Sequence, residues 1–220
     1  VISSDWVEEL RAWLSDSAQW QEKLALQAQA ALDAEASRLG LATSAPVHPL
    51  LLQGRPVAAL ADAVIGHEAD LLAVGARGTN PLHHLLVGTT AERLLRKVTC
   101  PLLVVRHPPH QAYQRVLVPL DFSPWSEHAV SLARLVAPDT VLVLMHSFTI
   151  PFEEKLRFAG VDDATLGHYR ETAREASRQQ MEAFVHAHQL PPDRYRLSLT
   201  EGDAPQHILT QARERGCDLI

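Results

Sequence analysis

The residues with the clearest chemical potential are glycines that punctuate the segment after an apolar run. Gly75 directly follows the run 71–74, Gly78 comes after two further residues, and Gly88 and Thr89 come after nine more. A glycine at the end of a buried strand lets a ligand approach the backbone closely, because it has no Cβ. The spacing predicts a phosphate-binding loop between a strand and a helix. An ordinary strand-to-helix connection is the alternative.

The start of the following helix also favours an anion. Thr89 and Glu92 match a capping box, which predicts a helix whose first N–H groups face outward and attract phosphate. Arg77 lies inside the loop and can add a charged donor, with a solvated arginine as the alternative. The loop lacks the lysine of a G-x-x-x-x-G-K-[ST] phosphate loop and has no carboxylate placed for magnesium. Both features favour binding over fast hydrolysis.

This segment resembles the nucleotide-binding motif of the universal stress protein family. ATP-binding members carry G-x2-G-x9-G-(S/T), then a helix and a C-P-x-x-V-V type strand, which residues 100–105 match here. The resemblance implies that Gly75, Gly78, Gly88 and Thr89 hold the ribose and phosphates of ATP or a related adenine nucleotide, with or without Mg²⁺. It also implies a stress-response sensor or regulator with little or no catalysis. A nucleotide-independent dimerisation or interaction scaffold of the same fold is the main alternative, and a weak ATPase is the other.

A second candidate site lies in the other half of the chain. Asp121 ends an apolar strand predicted at 115–121 and Ser123 lies just beyond it. The carboxyl ends of strands are where open α/β sheets bind ligands. The resemblance implies that Asp121 holds the adenosine part of the ligand, that Pro119 and Ser123 complete the same pattern, and that His146 lies near the adenine. As alternatives, Asp121 caps a helix or stabilises a turn. His146 is then a core histidine with its hydrogen bonds satisfied.

An internal repeat organises the whole sequence. Gly54 and Gly202 each stand sixteen residues before a matching Asp-Leu-(Leu/Ile) segment, so the two halves align without a gap at an offset of 148. The alignment predicts two domains, 1–107 and 115–220, joined by a linker at 108–114. The first copy has no counterpart of the first β-α-β unit, and the second has none of the glycine loop, last helix and last strand. We therefore expect an internal part of a two-domain protein of about 290 residues.

Alternating apolar strands and amphipathic helices predict α/β domains, with parallel sheets covered by helices on both faces. The resemblance sharpens this to a Rossmann-like, adenine nucleotide alpha hydrolase-like fold with five strands in the order 3-2-1-4-5 in each complete copy. In the first copy we predict helices at 5–39, 56–67 and 90–97, and strands at 48–52, 71–74 and 101–106. In the second copy we predict strands at 115–121, 141–146 and 195–201, and a helix at 125–136.

Composition excludes several classes of partner and site. The formal charge of −6 argues against nucleic acid, and no apolar run approaches the roughly 20 residues of a membrane span. With 46% hydrophobic residues, the sequence is typical of a cytoplasmic globular protein. The two cysteines suggest free thiols, and the histidines show no metal-binding spacing. The resemblance implies self-association through the strand at 101–106, whose normal neighbour would be the missing last strand of the second copy.

Overall fold

A computed structural model describes residues 17–43, 45–76, 89–107 and 111–220. The chain divides into two compact units, Val1–Pro108 and Pro109–Ile220. Each unit contains its own parallel sheet with helices.

The first unit has two parallel strands in its described part. Helix α1 spans Ser17–Ala42, and helix α2 spans Pro56–Gly66, with proline in the first turn where its missing N–H needs no partner. Strand β1 (Leu72–Gly75) pairs with β2 (Leu102–Val105), and helix α3 (Thr89–Leu95) lies between them in sequence. Among the described residues of this unit, the buried apolar side chains come from helices α2 and α3 and are Ala61, Val64, Ala91 and Leu94.

The second unit has a larger parallel sheet. Its strands are β3 (Arg115–Pro119), β4 (Val141–Phe148) and β5 (Tyr195–Glu201), in the order β3-β4-β5. Its helices are α4 (Pro124–Val136), α5 (Glu153–Phe158), α6 (Asp163–Ala187) and α7 (Ala204–Glu214). Leu219 forms a parallel bridge with Val116 on the free side of β3. The Asp218 carboxylate accepts hydrogen bonds from the backbone N–H of Gln114 and Arg115 at 2.8 and 3.0 Å.

Both faces of this second sheet are covered. Successive residues of a strand point to opposite faces. Accordingly, Val116 and Val118 pack with Val130 of α4 and Met181 of α6 on one face, whereas Leu117 packs with α7 on the other. Val116, Leu117 and Val118 are all buried, which explains why the sequence of this strand is a continuous apolar run rather than an alternating one.

The structure confirms the predicted α/β class with parallel strands and helices. The order β5-β4-β3-Leu219 in the second unit corresponds to the first four positions of the predicted order 3-2-1-4-5, and β1-β2 in the first unit to the last two. The boundaries of β5 agree with the prediction at both ends. Helix α1 ends three residues later than predicted, and the start of the predicted helix at 5–39 lies outside the described residues.

One predicted strand is wrong. Residues 48–52 form no strand, and only Gln53 beside them takes part in a single β-bridge. A strand needs a hydrogen-bonded neighbour along its length, and no described strand of the first unit lies beside this segment. Residues 45–50 are exposed. The apolar pattern indicated burial here, but it carries no information on whether a partner strand lies beside the segment.

Candidate functional site

The carboxyl ends of β3, β4 and β5 meet at one edge of the second sheet. This edge brings together the four residues predicted there, which are Pro119, Asp121, Ser123 and His146. Pro119 ends β3 opposite Met145 of β4. The same edge of a parallel sheet is where α/β proteins bind ligands, because the connecting loops leave a crevice there.

Asp121 is the centre of a small hydrogen-bond network. Its Oδ1 atom accepts hydrogen bonds from the Ser123 backbone N–H at 2.9 Å, the Ser123 hydroxyl at 2.6 Å and the Ser126 hydroxyl at 2.7 Å. The buried Ser126 hydroxyl also accepts the backbone N–H of Asp121 at 3.0 Å. These bonds fix the turn from β3 into α4. The Oδ2 atom of Asp121 receives no hydrogen bond from another described residue.

The same network keeps Asp121 ionised. Hydrogen bonds from Ser123, and then from Ser126, lower the pKa of the Asp121 carboxyl to about 2. A carboxylate at neutral pH accepts hydrogen bonds and donates none. Asp121 is exposed. It therefore stabilises the turn with one oxygen, while the other remains a hydrogen-bond acceptor.

His146 and Phe122 form an aromatic pair beside this carboxylate. Their ring centroids lie 4.5 Å apart with the planes tilted by 44°. Phe122 has a left-handed backbone, with a φ of 61°. The His146 Nδ1 atom lies 2.8 Å from the carbonyl oxygen of Leu120, so this nitrogen carries the proton and donates it. The histidine is half-buried and held by the backbone, and its Nε2 is an acceptor while the ring is neutral.

Gly202 shapes the third side of the edge, at the end of β5. Its φ is 115°, and a Cβ at this position would lie 3.2 Å from His207 Nε2. The Ser147 hydroxyl donates to the Gly202 carbonyl at 2.8 Å, and the Gly202 N–H donates to the Phe148 carbonyl at 2.9 Å. These bonds hold the β5–α7 turn against the end of β4.

An ionic network flanks the site. Arg170 of α6 donates to Glu201 at the end of β5 at 2.6 Å and to Glu153 of α5 at 2.9 Å. Arg157 pairs with the same Glu153 at 3.1 Å. Because these side chains are partly solvated, each pair contributes only modestly to stability. Together they tie α5 and α6 to the strand end.

Sequence reasoning missed Phe122, Ser126 and Gly202 as parts of this edge. Ser126 had a readable signal, since it places a second hydroxyl five residues after Asp121, at the start of a predicted helix. Gly202 had a readable signal as well, because Gly54 occupies the matching position of the repeat. The structure gives Gly54 a similar φ of 118°. Phe122 had no such signal, because a bulky residue gives no sign of a left-handed backbone.

The candidate loop of the first unit is described only at its two ends. Gly75 is the last residue of β1 and lies opposite Val105 of β2. Thr89 is the first residue of α3 rather than the cap before it, and no hydrogen bond joins Thr89 to Glu92. Three predicted residues lie outside the described residues: Arg77, Gly78 and Gly88.

The described residues contain no cluster of metal ligands and no membrane-spanning helix. Across 17–43, 45–76, 89–107 and 111–220, no group of three or more His, Cys, Asp or Glu side chains could hold a metal ion. None of the helices in these ranges combines the length and the hydrophobicity of a membrane span. Cys100 and Cys217 are free thiols, and burial raises the pKa of Cys217.

Comparison with known proteins adds a family assignment. The model of the universal stress protein family matches residues 3–106 and again residues 112–220. A universal stress protein of Thermus aquaticus is 42% identical over 57 residues, which are 26% of this chain and 42% of that protein. One of Methanocaldococcus jannaschii is 34% identical over 62 residues, 28% of this chain and 36% of that protein. The chain thus covers less than half of the length of either curated relative.

Solved structures show the same fold. The crystal structure of a universal stress protein from Archaeoglobus fulgidus aligns with a TM-score of 0.66 at 21% identity, covering 93% of this chain and 69% of that one. A structure from Pseudomonas aeruginosa aligns with a TM-score of 0.56 at 18% identity, covering 86% and 64%. At these identities the likeness concerns the fold alone.

Proposed function

Because this chain belongs to the universal stress protein family, we propose that it binds an adenine nucleotide and acts as a stress-response sensor or regulator with little or no catalysis. The observation that carries the proposal is the Asp121 carboxylate, which is ionised, exposed and held in place through one oxygen only. A cytoplasmic location belongs to the same proposal and is tested by cell fractionation.

The acceptor chemistry of the second unit fits a nucleoside. A ribose presents hydroxyl donors, and Asp121 Oδ2 is an acceptor without a donor from another described residue. A hydrogen bond to a charged group is worth about 1.5–3 kcal/mol, so one ribose contact contributes usefully to affinity. Because the Ser123 and Ser126 bonds already fix the carboxylate, little side-chain entropy is lost when the ribose binds.

The aromatic pair supplies the place for the base. In our proposal, adenine lies beside Phe122 and His146, and His146 accepts a hydrogen bond from the exocyclic amino group at Nε2. The Leu120 carbonyl supports this role, because it keeps the proton on Nδ1. Pro119 and Ser123 complete this adenosine side by shaping the end of β3 and the turn after it.

In the first unit, a separate half-site for the phosphates of a nucleotide is proposed on the sequence motif. The residues are Gly75, Arg77, Gly78, Gly88 and Thr89, where backbone N–H groups and one guanidinium would meet the phosphates of ATP, with or without Mg²⁺. The absence of a phosphate-loop lysine from residues 75–89 supports binding rather than turnover.

Calorimetric titration with adenosine and with ATP tests the adenosine side. Asp121→Asn keeps the shape of the side chain but removes its charge, and we expect it to weaken adenosine binding about tenfold. Asp193→Asn is the matched control, because Asp193 is an exposed aspartate in the turn before β5. Trp125, exposed in the first turn of α4, provides a fluorescence readout. Failure of adenosine and ATP to bind, or equal affinity for both variants, would overturn the proposal.

A second candidate function is an interaction scaffold that self-associates through β2. The four residues of β2 are half-buried. One edge of β2 pairs with β1, and no described strand of the first unit pairs with the other edge. An apolar strand edge of this kind is prone to pair with another chain. No nucleic acid or membrane partner is proposed.

Val104→Pro tests this edge selectively. Pro101 and Val105 use their carbonyl groups toward β1, accepting from Leu72 and Ala76. Backbone groups alternate along a strand, so the Val104 N–H faces the open edge. Removing it should spare the β1 pairing and lower the mass measured by light scattering at micromolar concentration. A mass that is monomeric before the substitution, or unchanged after it, contradicts the scaffold proposal.

A further inference from the structure

A cavity of about 450 Å³ lies at the amino-terminal end of β4 in the second unit. Asp121 and the adenosine edge are at the opposite, carboxyl-terminal ends of the same strands. The cavity is bounded by the last turns of α4, the α4–β4 turn and the α6–β5 turn. Its volume is within the range of roughly 300–1,000 Å³ that is usual for small-molecule sites.

The cavity combines an apolar wall with two cations. Leu142 and Leu190 are buried in the wall, and Leu135, at 71% exposure, stands at the opening. The cations are Arg134 in the last turn of α4 and Arg194 just before β5. Asp139 and Asp193 are sequence neighbours of residues that line the cavity. Within the described ranges, however, no ion pair joins Arg134 or Arg194 to a carboxylate.

Arg194 is held in position by its surroundings. Its backbone N–H donates to the Pro191 carbonyl at 2.9 Å, and its carbonyl accepts the Leu142 N–H at 3.0 Å. Its guanidinium donates to the carbonyl of Pro138. A guanidinium has five N–H donors, so this one bond leaves others for a ligand. Two cations that line one cavity repel each other, and an anion between them relieves that repulsion.

We propose that this cavity binds a small amphipathic carboxylate, a monoanion with a short apolar tail. The carboxylate accepts hydrogen bonds from Arg134 and Arg194, since guanidinium and carboxylate match in geometry. The tail packs against Leu135, Leu142 and Leu190 and removes apolar surface from water. A free inorganic phosphate would satisfy the cations but leave the leucine wall uncovered. The site is independent of the adenosine edge.

Calorimetry with octanoate tests the proposal on the whole chain. Octan-1-ol carries the same tail without the charge, and inorganic phosphate carries charge without a tail. We expect octanoate to bind with 1:1 stoichiometry, more tightly than either comparison compound, and more weakly as sodium chloride is raised. Saturation with adenosine should leave the octanoate affinity unchanged. No octanoate binding up to millimolar concentration, or equal affinity for octan-1-ol, would overturn the proposal.

Substitutions at two exposed residues test the contribution of the cation and that of the apolar wall separately. Arg134→Gln should weaken octanoate binding about tenfold, because a charge-assisted hydrogen bond is lost. Leu135→Ser should weaken it by a smaller factor through lost apolar contact. Arg213→Gln is the matched control, because it removes an exposed arginine from the last turn of α7, away from the cavity. Equal losses in Arg134→Gln and Arg213→Gln would show only a general charge effect and would exclude this site.

Discussion

The two copies of the repeat share a turn but differ in the strand that precedes it. Gly54 and Gly202 have φ angles of 118° and 115°, and each is followed by a helix with proline in its first turn. Before Gly202 the chain forms β5, paired with β4 from Tyr195 to Glu201. Before Gly54 the aligned segment 47–53 forms no strand. The turn is therefore set locally by glycine and proline. A strand also needs a hydrogen-bonded neighbour, and within the second unit β4 is that neighbour for β5.

The largest expected effect comes from aligned leucines in these two segments. Leu199→Ala should lower the free energy of unfolding of the second unit by about 2 kcal/mol, because Leu199 packs on the core beneath β4. Leu51→Ala should lower that of the first unit by only about 0.5 kcal/mol, because its segment has no strand partner among the described residues. Amide exchange in β4 and in β1 reports the two units separately. Equal losses would mean that segment 47–53 is as well packed as β5.

The shared turn gives the next largest difference between the two units. Alanine at either glycine is strained by the positive φ, which costs about 1–3 kcal/mol. Gly202→Ala should cost more than Gly54→Ala, because its Cβ would crowd His207 at 3.2 Å while no atom lies within 4 Å at Gly54. The double substitution Gly202→Ala with His207→Ala should remove the difference. Amide exchange of β4 and β1 measures it, and a larger loss for Gly54→Ala would contradict the local crowding.

The smallest effect is expected from acid, which should act on the second unit through Asp121. The pKa of this carboxyl is about 2 in the fold, below its ordinary value of 3.8. A depressed folded-state pKa stabilises the fold above the ordinary value, and this contribution is lost as the pH falls from 3.8 toward 2. Asp121→Asn should therefore be less stable than the unchanged chain at pH 6, with the difference shrinking near pH 2. Urea unfolding at both values measures this, and a difference independent of pH would contradict it.

Sequence reasoning located the elements that carry local signals. The bounds of β5, the start of α4 near its proline and the repeated glycine turn were readable, because each depends on nearby residues. The absence of a strand at 48–52 could not be predicted from nearby residues, since the pairing of a strand depends on other segments of the chain. In the candidate site, Asp121 and Ser123 were recognisable as a motif. That three hydrogen bonds converge on one oxygen of Asp121 required the geometry of the turn.

The contact between β3 and Leu219 has a consequence for the timing of folding. Arg115 donates its N–H to Asp218, 103 positions later, and the Leu117 N–H donates to the Leu219 carbonyl at 2.9 Å. Contacts between such distant residues form slowly, because a long loop must close first. During synthesis β3 emerges early, but one of its edges is covered only after residues 218–219 have left the ribosome. A nascent chain that pauses before that point exposes one unpaired edge of an apolar strand, and such an edge is prone to pair with another chain.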